Sequence, residues 1–152
     1  SAKHQRVNFK EVNWIKKPLL NNHQEKFKVR LDQYEARLKR LIKIIHSFNS
    51  KVILVTHSAT GWWFIQNDIL FGKDHVNEMA GQKFNGVDYY FFSRLLNEKG
   101  IEICEELDGI CIDMDNELTL NNNDIYDWMH YNPLGANKVG NYLYEKLKGK
   151  IN

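Results

Sequence analysis

The spacing of apolar residues predicts three helices. From about residue 24, apolar side chains recur every three or four positions opposite a Lys- and Arg-rich face, which is typical of an amphipathic helix. A similar stripe predicts a second long helix over about 87–107, in which Gly100 is interpreted as a close helix–sheet contact, with a break in the helix as the alternative. Pro133 suits the first turn of a last helix that runs to Lys148. The apolar positions of the three helices are Phe27, Leu31, Tyr34, Leu38, Leu41, Ile42 and Ile45; Tyr89, Phe92, Leu96, Ile103 and Leu107; and Ala136, Val139, Leu143 and Leu147.

Two short, continuously apolar runs predict strands. Lys51–Thr56 and Ile110–Met114 have the composition of strands that are buried on both faces in a parallel sheet. Because helices and strands alternate, the predicted fold class is α/β, with right-handed crossovers between parallel strands. Two such strands cannot satisfy their outer backbone edges, so we expect a larger sheet that something outside this chain completes.

The remaining segments carry no clear periodicity. Residues 1–23 are predicted to form an irregular surface loop. Residues 57–85 mix glycines with aromatic residues and are also predicted to be loop-like. A loop of this length in a compact domain is usually functional or covers a site.

Composition excludes several classes of protein. The chain has 152 residues, 43% of them hydrophobic, which suits one folded domain with a real core. Its net charge of +2 comes from interleaved acidic and basic residues, so we expect neither nucleic-acid nor membrane-surface binding. No apolar run approaches the roughly 18 residues that a membrane span needs, and we expect no transmembrane segment.

Cysteines and histidines give no sign of a metal site. Cys104 and Cys111 fit no zinc spacing and are expected to be free thiols, one on a helix and one on a strand. The six histidines have no i, i+4 pairing with an acidic third ligand. We therefore expect no metal and no cofactor.

Candidate chemistry follows the predicted strands. Ligands of open α/β sheets bind beyond the carboxyl ends of the strands, and three groups of polar residues should converge there. They are His57 with Ser58, Asp113 with Asp115, and Asp127 with His130. A histidine can act as a general base when a carboxylate accepts a hydrogen bond from its Nδ1–H group and so fixes the tautomer, and Asp127 is the nearest candidate carboxylate to His130. The alternative is a helix-entry loop in which Asp127 caps backbone amides and His130 is an ordinary polar residue.

The block around this pair resembles a known family. Residues 124–137 read Asp-Ile-Tyr-Asp-Trp-Met-His-Tyr-Asn-Pro-Leu-Gly-Ala-Asn, which is similar to the last conserved block of SGNH (GDSL-like) hydrolases. With the preceding order of helices and strands, the resemblance covers roughly residues 24–148. It implies a three-layer α/β/α fold with a flavodoxin-like parallel sheet. It also implies that His130 is the general base and that Asp127 orients it.

The departures from the family pattern are informative. The family's nucleophile lies in a Gly-Asp-Ser block that this chain lacks, and Ile65–Asp68 does not match the family's Gly-x-Asn-Asp block. The resemblance therefore implies that residues 1–152 are a single partial domain, with residues 24–152 as its C-terminal half. The implied partner is the N-terminal half, either as a second chain or in a swapped copy, and the implied substrate is a small ester.

Two other functions remain open. Ser58 follows a strand, as the serine of a nucleophile elbow does, and Asp113 and His130 come later in the Ser, Asp, His order of α/β-hydrolases. However, threonines replace the elbow glycines, so a loop hydroxyl at a pocket rim is the alternative. The chain could instead be a non-catalytic binding or assembly domain.

Two residues are further substrate-binding candidates. His57 would border the pocket, and Trp62 would line an acyl or sugar site. A solvated loop histidine and a small satellite core are the respective alternatives.

Overall fold

The structure, a computed structural model, describes residues 6–57, 61–76 and 81–151, which form a mixed α/β fold. The helices are α1 (His23–Ser47), α2 (Gly86–Glu106), α3 (Met114–Glu117) and α4 (Pro133–Leu147). The strands are β1 (Trp14–Ile15), β2 (Ile53–Val55), β3 (Trp63–Gln66), β4 (Ile69–Lys73) and β5 (Ile110–Ile112). The predicted α/β class is confirmed, and the three longer helices lie where the apolar stripes predicted them. No helix in the described ranges is both long and apolar enough to cross a membrane.

Strands β2 and β5 form a two-stranded parallel sheet. Leu54 lies opposite Cys111, and the ladder extends beyond both ends of β2 through the bonds from Ile110 N to Val52 O and from Thr56 N to Ile112 O. Helices α1 and α2 pack against each other, and α2 also contacts both strands. The main buried cluster comprises Ile42, Val52 and Ile103, together with the partly buried Leu38, Ile45 and Leu107.

Gly100 lies where α1, α2 and β2 meet. A Cβ at this position would be 2.9 Å from the Tyr34 hydroxyl and 3.7 Å from a methyl group of Leu54. The contact with Leu54 is the close helix–sheet approach that the sequence predicted, and the absent side chain also makes room for Tyr34.

A second sheet lies in segments that were predicted to be irregular. Its strand order is β1-β4-β3, and all its neighbours are antiparallel. The predictions of an irregular N-terminal segment and of a loop over residues 57–85 are therefore wrong for these strands. Asn67 and Asp68 both have positive φ, which is the geometry of a two-residue hairpin turn. These strands were missed because their apolar residues do not alternate regularly with polar ones.

The two cysteines form a disulfide, which corrects the prediction of free thiols. Cys104 lies in the last turns of α2, and Cys111 lies in the middle of β5. A tight turn through Asp108, whose φ is 55°, reverses the chain direction between them. The two Cα atoms are therefore 5.9 Å apart, which is within the range that a disulfide can bridge. The prediction of free thiols was based on the absence of a zinc-binding spacing, and that spacing gives no information about a reversal of the chain between the two cysteines.

A buried carboxylate joins the start of α2 to the N-terminal segment. Asn85 and Asp88 form a capping box, in which each side chain accepts a hydrogen bond from the other residue's backbone amide. Asp88 is fully buried and also accepts hydrogen bonds from the backbone amides of Leu19 and Leu20. Its Oδ1 lies 2.8 Å from Nε2 of His23 at the start of α1. One side chain thus holds three segments together.

Glycines allow close backbone contacts around the hairpin and α4. A Cβ at Gly72 would lie 2.2 Å from the amide nitrogen of Val87, and one at Gly86 would lie 2.0 Å from Trp62 O. A Cβ at Gly135, in the first turn of α4, would lie 2.0 Å from Asp124 O. The start of α4 is thereby pressed against the loop that precedes it.

Gly135→Ala should destabilise the chain by about 1–3 kcal/mol or more, because the added methyl group overlaps a backbone oxygen. Gly140 in the same helix is the matched control, since nothing lies within 4 Å of the position of its Cβ. Gly140→Ala should stabilise by up to about 1 kcal/mol through helix propensity. Urea denaturation measures both effects. Equal stabilities for the two variants would contradict the close contact.

Reduction of the Cys104–Cys111 bond should lower the free energy of unfolding by about 2–3 kcal/mol, as expected for opening a short loop. Denaturation with and without a phosphine reductant measures the loss, and thiol labelling confirms the redox state. A variant with both cysteines replaced by alanine should not respond to the reductant. Two labelled thiols in the untreated protein would show that the bond is absent.

Candidate active site

The segment containing Asp127 and His130 is the tip of a closed loop. Asn132 N donates to Asp124 O at 2.9 Å, and Tyr126 N donates to His130 O at 3.1 Å. An isolated antiparallel bridge joins Ile125 and Tyr131 between these bonds. The loop therefore has a stem, which fixes the backbone positions of the two candidate residues.

The Asp127 carboxylate contacts both the backbone and the ring of His130. Its Oδ1 accepts hydrogen bonds from the amides of Met129 and His130, both at 2.8 Å. Nδ1 of His130 lies 2.8 Å from Oδ2 and 3.0 Å from Oδ1. An aspartate favours such turns because its side chain reaches amides two and three residues ahead. In this turn, the spacing of three residues also brings the imidazole to the carboxylate.

The electrostatics keep Asp127 ionised at neutral pH. Burial acts to raise its pKa, but hydrogen bonds from the amides of Met129 and His130 and from the His130 ring outweigh burial, and the pKa lies below its ordinary value. An ionised carboxylate beside Nδ1 favours the tautomer with the proton on Nδ1 and leaves Nε2 as the basic nitrogen. The His130 side chain is 56% exposed, whereas that of Asp127 is only 13% exposed.

The β3–β4 hairpin and the N-terminal segment support this loop. Trp62 stacks on Trp128, with ring centroids 4.7 Å apart and planes inclined by 10°. Gly61 N donates to Trp128 O at 2.8 Å, and Phe9 packs edge-on against the Trp128 ring. Nζ of Lys73 lies over both indoles, at 5.7 Å from Trp62 and 5.3 Å from Trp128. The structure thus places Trp62, a predicted substrate-binding residue, against the loop.

A second polar cluster lies at the carboxyl ends of β2 and β5. Thr56 Oγ1 donates to Asp113 Oδ1 at 3.1 Å and accepts from the amide of Asp115 at 2.9 Å. Arg94 of α2 donates to Asp115 Oδ2 at 3.1 Å and to Asn116 Oδ1 at 2.6 Å. Burial raises the pKa of Asp115, and hydrogen bonding from Asn97 and the charge of Arg94 oppose this rise.

His57 lies between this cluster and the Asp127 loop. Its ring stacks on Tyr131 with centroids 6.2 Å apart, and Asn97 Nδ2 donates to its carbonyl at 2.9 Å. Burial lowers the pKa of His57, and the charge of Asp115 opposes this effect. The structure therefore brings His57 and Asp115 to one rim with Tyr131, which follows His130. Ser58 lies outside the described residues.

The structure also shows supporting residues that the sequence did not predict. Asn132 caps α4 by accepting from Gly135 N at 3.0 Å. Asp124 is fully buried, and its Oδ1 lies 2.7 Å from Nζ of Lys138. The Asn-Pro pair at the start of α4 is a recognisable capping signal. By contrast, nothing in the local sequence shows that Asp124 and Arg94 have long-range partners.

No set of three or more potential ligand residues in the described part of the chain could hold a metal ion. Comparison of the chain with protein-family models, curated proteins and solved structures gave no match. The features of this chain that point to a function are therefore the geometry of the site and the resemblance of the Asp124–Asn137 block.

Asp127→Asn should remove part of the acid sensitivity of the fold. Because the folded-state pKa of Asp127 is depressed, its contribution to stability is present above the ordinary value of 3.8 and is lost as the pH falls below it. The variant should be less stable at neutral pH and should lose less stability at acidic pH. Denaturation from pH 7 to pH 2 measures this.

Asp68→Asn is the matched control for the acid titration, since Asp68 is exposed in the hairpin turn and Asn tolerates positive φ. The control variant should keep the acid sensitivity of the original chain. An Asp127→Asn profile that runs parallel to the original at every pH would contradict the assigned contacts.

Proposed function

We propose that this chain is the C-terminal part of an SGNH-type ester hydrolase or acyltransferase. In this proposal, His130 is the general base, and Asp127 holds its imidazole. The observation that carries the proposal is the 2.8 Å contact between His130 Nδ1 and Asp127 Oδ2 in an anchored loop. The exposure of the His130 ring and the resemblance of residues 124–137 to the last SGNH block support it.

The proposed chemistry is acyl transfer through a serine from the N-terminal half. The serine hydroxyl attacks the ester carbonyl while Nε2 of His130 takes its proton, and a tetrahedral intermediate forms. The proton then passes to the leaving alkoxide, and the alcohol departs from an acyl-serine. Water or a second alcohol attacks the acyl-serine, again with His130 as base, and the serine is regenerated. Asp127 stabilises the imidazolium that forms in each half-reaction.

The free edge of β2 supports the need for a partner. In a parallel ladder, backbone groups of alternate residues point to opposite neighbours. Because Val52 and Thr56 bond to β5, the amides and carbonyls of Ile53 and Val55 point away from it. The two residues are 40% and 36% exposed, and no other strand in the described ranges pairs with this edge.

Helix α4 supports the same conclusion. Val139, Leu143 and Leu147 form the apolar side of α4, but they are only partly buried, and Ala136 is exposed. The only buried residue of α4 is Gly135. Apolar side chains on a helix normally face a core. Further chain that covered α4 and β2 would complete this core.

A parallel strand added to β2 would resolve both deficiencies. It would satisfy the Ile53 and Val55 backbone, and its carboxyl end would lie at the same rim as the Asp127 loop. A serine at that end would then be close to His130. We therefore propose the N-terminal half of the domain as the partner, either as a second chain or in a swapped copy. The complete domain would be a three-layer α/β/α fold with a flavodoxin-like sheet.

A short-chain nitrophenyl ester tests the proposed activity. We expect no hydrolysis by this chain alone and measurable hydrolysis when the N-terminal half is added. In the assembly, His130→Ala should lower kcat by about 10²–10⁴-fold, because the general base is lost. His46→Ala is the matched control, since His46 is an exposed histidine on α1. The control variant should keep the original rate.

Two outcomes would contradict the proposal. Hydrolysis by this chain alone that disappears in Ser58→Ala would show a self-sufficient enzyme with Ser58 as nucleophile. A folded assembly without activity on any acyl ester tested would favour a non-catalytic binding or assembly domain. Circular dichroism of each variant separates loss of chemistry from loss of fold.

A further inference from the structure

A cleft that the proposed chemistry does not use lies beside the rim. It has a volume of about 340 Å³ and is bounded by strand β3, helix α2 and the segment that follows α3. Its lining includes Trp63, Tyr90, Arg94, Asp115, Leu118 and Asn121. The volume is within the range of small-molecule sites, which usually combine aromatic walls with a few fixed polar groups.

Two aromatic rings form one wall of the cleft. Trp63 and Tyr90 pack edge to face, with centroids 4.8 Å apart and an interplanar angle of 74°. Both residues are only partly buried although they lie in regular elements. Their mutual packing restricts the rings, so a flat ligand with an apolar face could stack on them at little cost in conformational entropy.

The two charged residues in the lining of the cleft form an immobilised ion pair. Arg94 contacts Asp115 and Asn116, and its guanidinium lies 5.8 Å from the centre of the Tyr90 ring. The Asp115 side chain is only 4% exposed. An arginine has five N–H donors, and the two hydrogen bonds to Asp115 and Asn116 leave donors for a ligand.

The charge balance indicates the class of ligand. Asp115 neutralises Arg94, so the cleft has no net charge to attract an anion such as phosphate or a cation. An acyl chain would remove water from this ion pair without offering it hydrogen bonds, which is unfavourable. A sugar ring satisfies both walls, because it has a C–H face for the aromatic rings and hydroxyl groups for Arg94 and for the side-chain amide of Asn121.

We propose that this cleft binds the neutral carbohydrate part of the ester substrate. This inference rests on the proposed function in one respect only, namely that the bound sugar is part of an ester. Continuity with the candidate active site supports it. Asp115 lines the cleft and lies close enough to His57 for its charge to act to raise the His57 pKa. The ring of His57 in turn stacks on Tyr131, the residue after His130.

Saccharide binding to the cleft can be measured without the nucleophile. The probes are neutral mono- and oligosaccharides of glucose, xylose and N-acetylglucosamine, followed through the tryptophan indole N–H signals in nitrogen-15 NMR spectra. Trp63→Phe assigns the Trp63 signal. We expect at least one saccharide to shift this signal in a saturable manner, both in this chain and in its assembly with the N-terminal half.

Variants test the roles of the two walls. Trp63→Ala and Arg94→Gln should each weaken saccharide binding tenfold or more, as followed by calorimetry. Trp63→Phe should keep most of the affinity, because it preserves an aromatic face. Tyr144→Ala is the matched control, since Tyr144 is an exposed aromatic residue on α4, which does not line the cleft. The control variant should bind as the original chain does.

The outcomes separate this inference from the proposed function. The inference is wrong if none of the saccharides shifts the Trp63 signal, or if decanoate or inorganic phosphate shifts it and the saccharides do not. Hydrolysis of a simple nitrophenyl ester depends on His130 and not on this cleft. It can therefore succeed when saccharide binding fails, and saccharide binding can succeed when hydrolysis fails.

Discussion

The two-stranded parallel sheet constrains the rest of this structure. Its ladder uses the backbone of Val52, Leu54 and Thr56 on one edge of β2 and leaves the backbone of Ile53 and Val55 directed outward. A parallel pair is normally covered on both faces and flanked by further strands. Here, α1 and α2 together with Val52 supply the main buried cluster, while Ile53, Val55 and the apolar side of α4 remain partly exposed. The proposed partner would cover this exposed edge of β2 and the apolar side of α4. We expect the same partner to supply the nucleophile for the candidate base.

Two Asp–His pairs in this chain have nearly the same contact distance but different surroundings. Asp88 Oδ1 and His23 Nε2 are 2.8 Å apart, and the carboxylate is fully buried among backbone amides of two segments. Asp127 and His130 are also 2.8 Å apart, but their loop lies at the rim of the sheet, and the imidazole is half exposed. A buried pair that satisfies several donors holds a fold together, whereas a base must reach a substrate. Distance alone therefore does not identify chemistry.

The sequence allowed two interpretations of Asp127: a carboxylate that caps backbone amides, or one that orients the His130 ring. The structure contains the contacts that each interpretation requires. The carboxylate accepts the amides of Met129 and His130, as a structural turn requires, and it also contacts the imidazole nitrogen. The stack of Trp62 on Trp128 then fixes the loop against the hairpin. The hairpin itself was missed, because the apolar residues of its strands do not alternate regularly with polar ones, and the close passage of Gly72 and Gly86 joins segments that are distant in the chain. The disulfide was missed for a similar reason, since the reversal at Asp108 brings two unpatterned cysteines together.

The sequence by itself determined the three long helices, the two parallel strands and the spacing that joins Asp127 to His130. These features depend on periodicity, on β-branched runs and on contacts within a few residues. All three are properties of a short segment and can be recognised without knowledge of the tertiary structure. Only the tertiary structure decided which distant groups meet. It placed Arg94 against Asp115, His57 against Tyr131 and Asp88 against the N-terminal segment. Such contacts join residues far apart in the chain. Burial of the Asp88 and Asp115 carboxylates requires polar partners, and only the packing of distant segments decides which residues supply them.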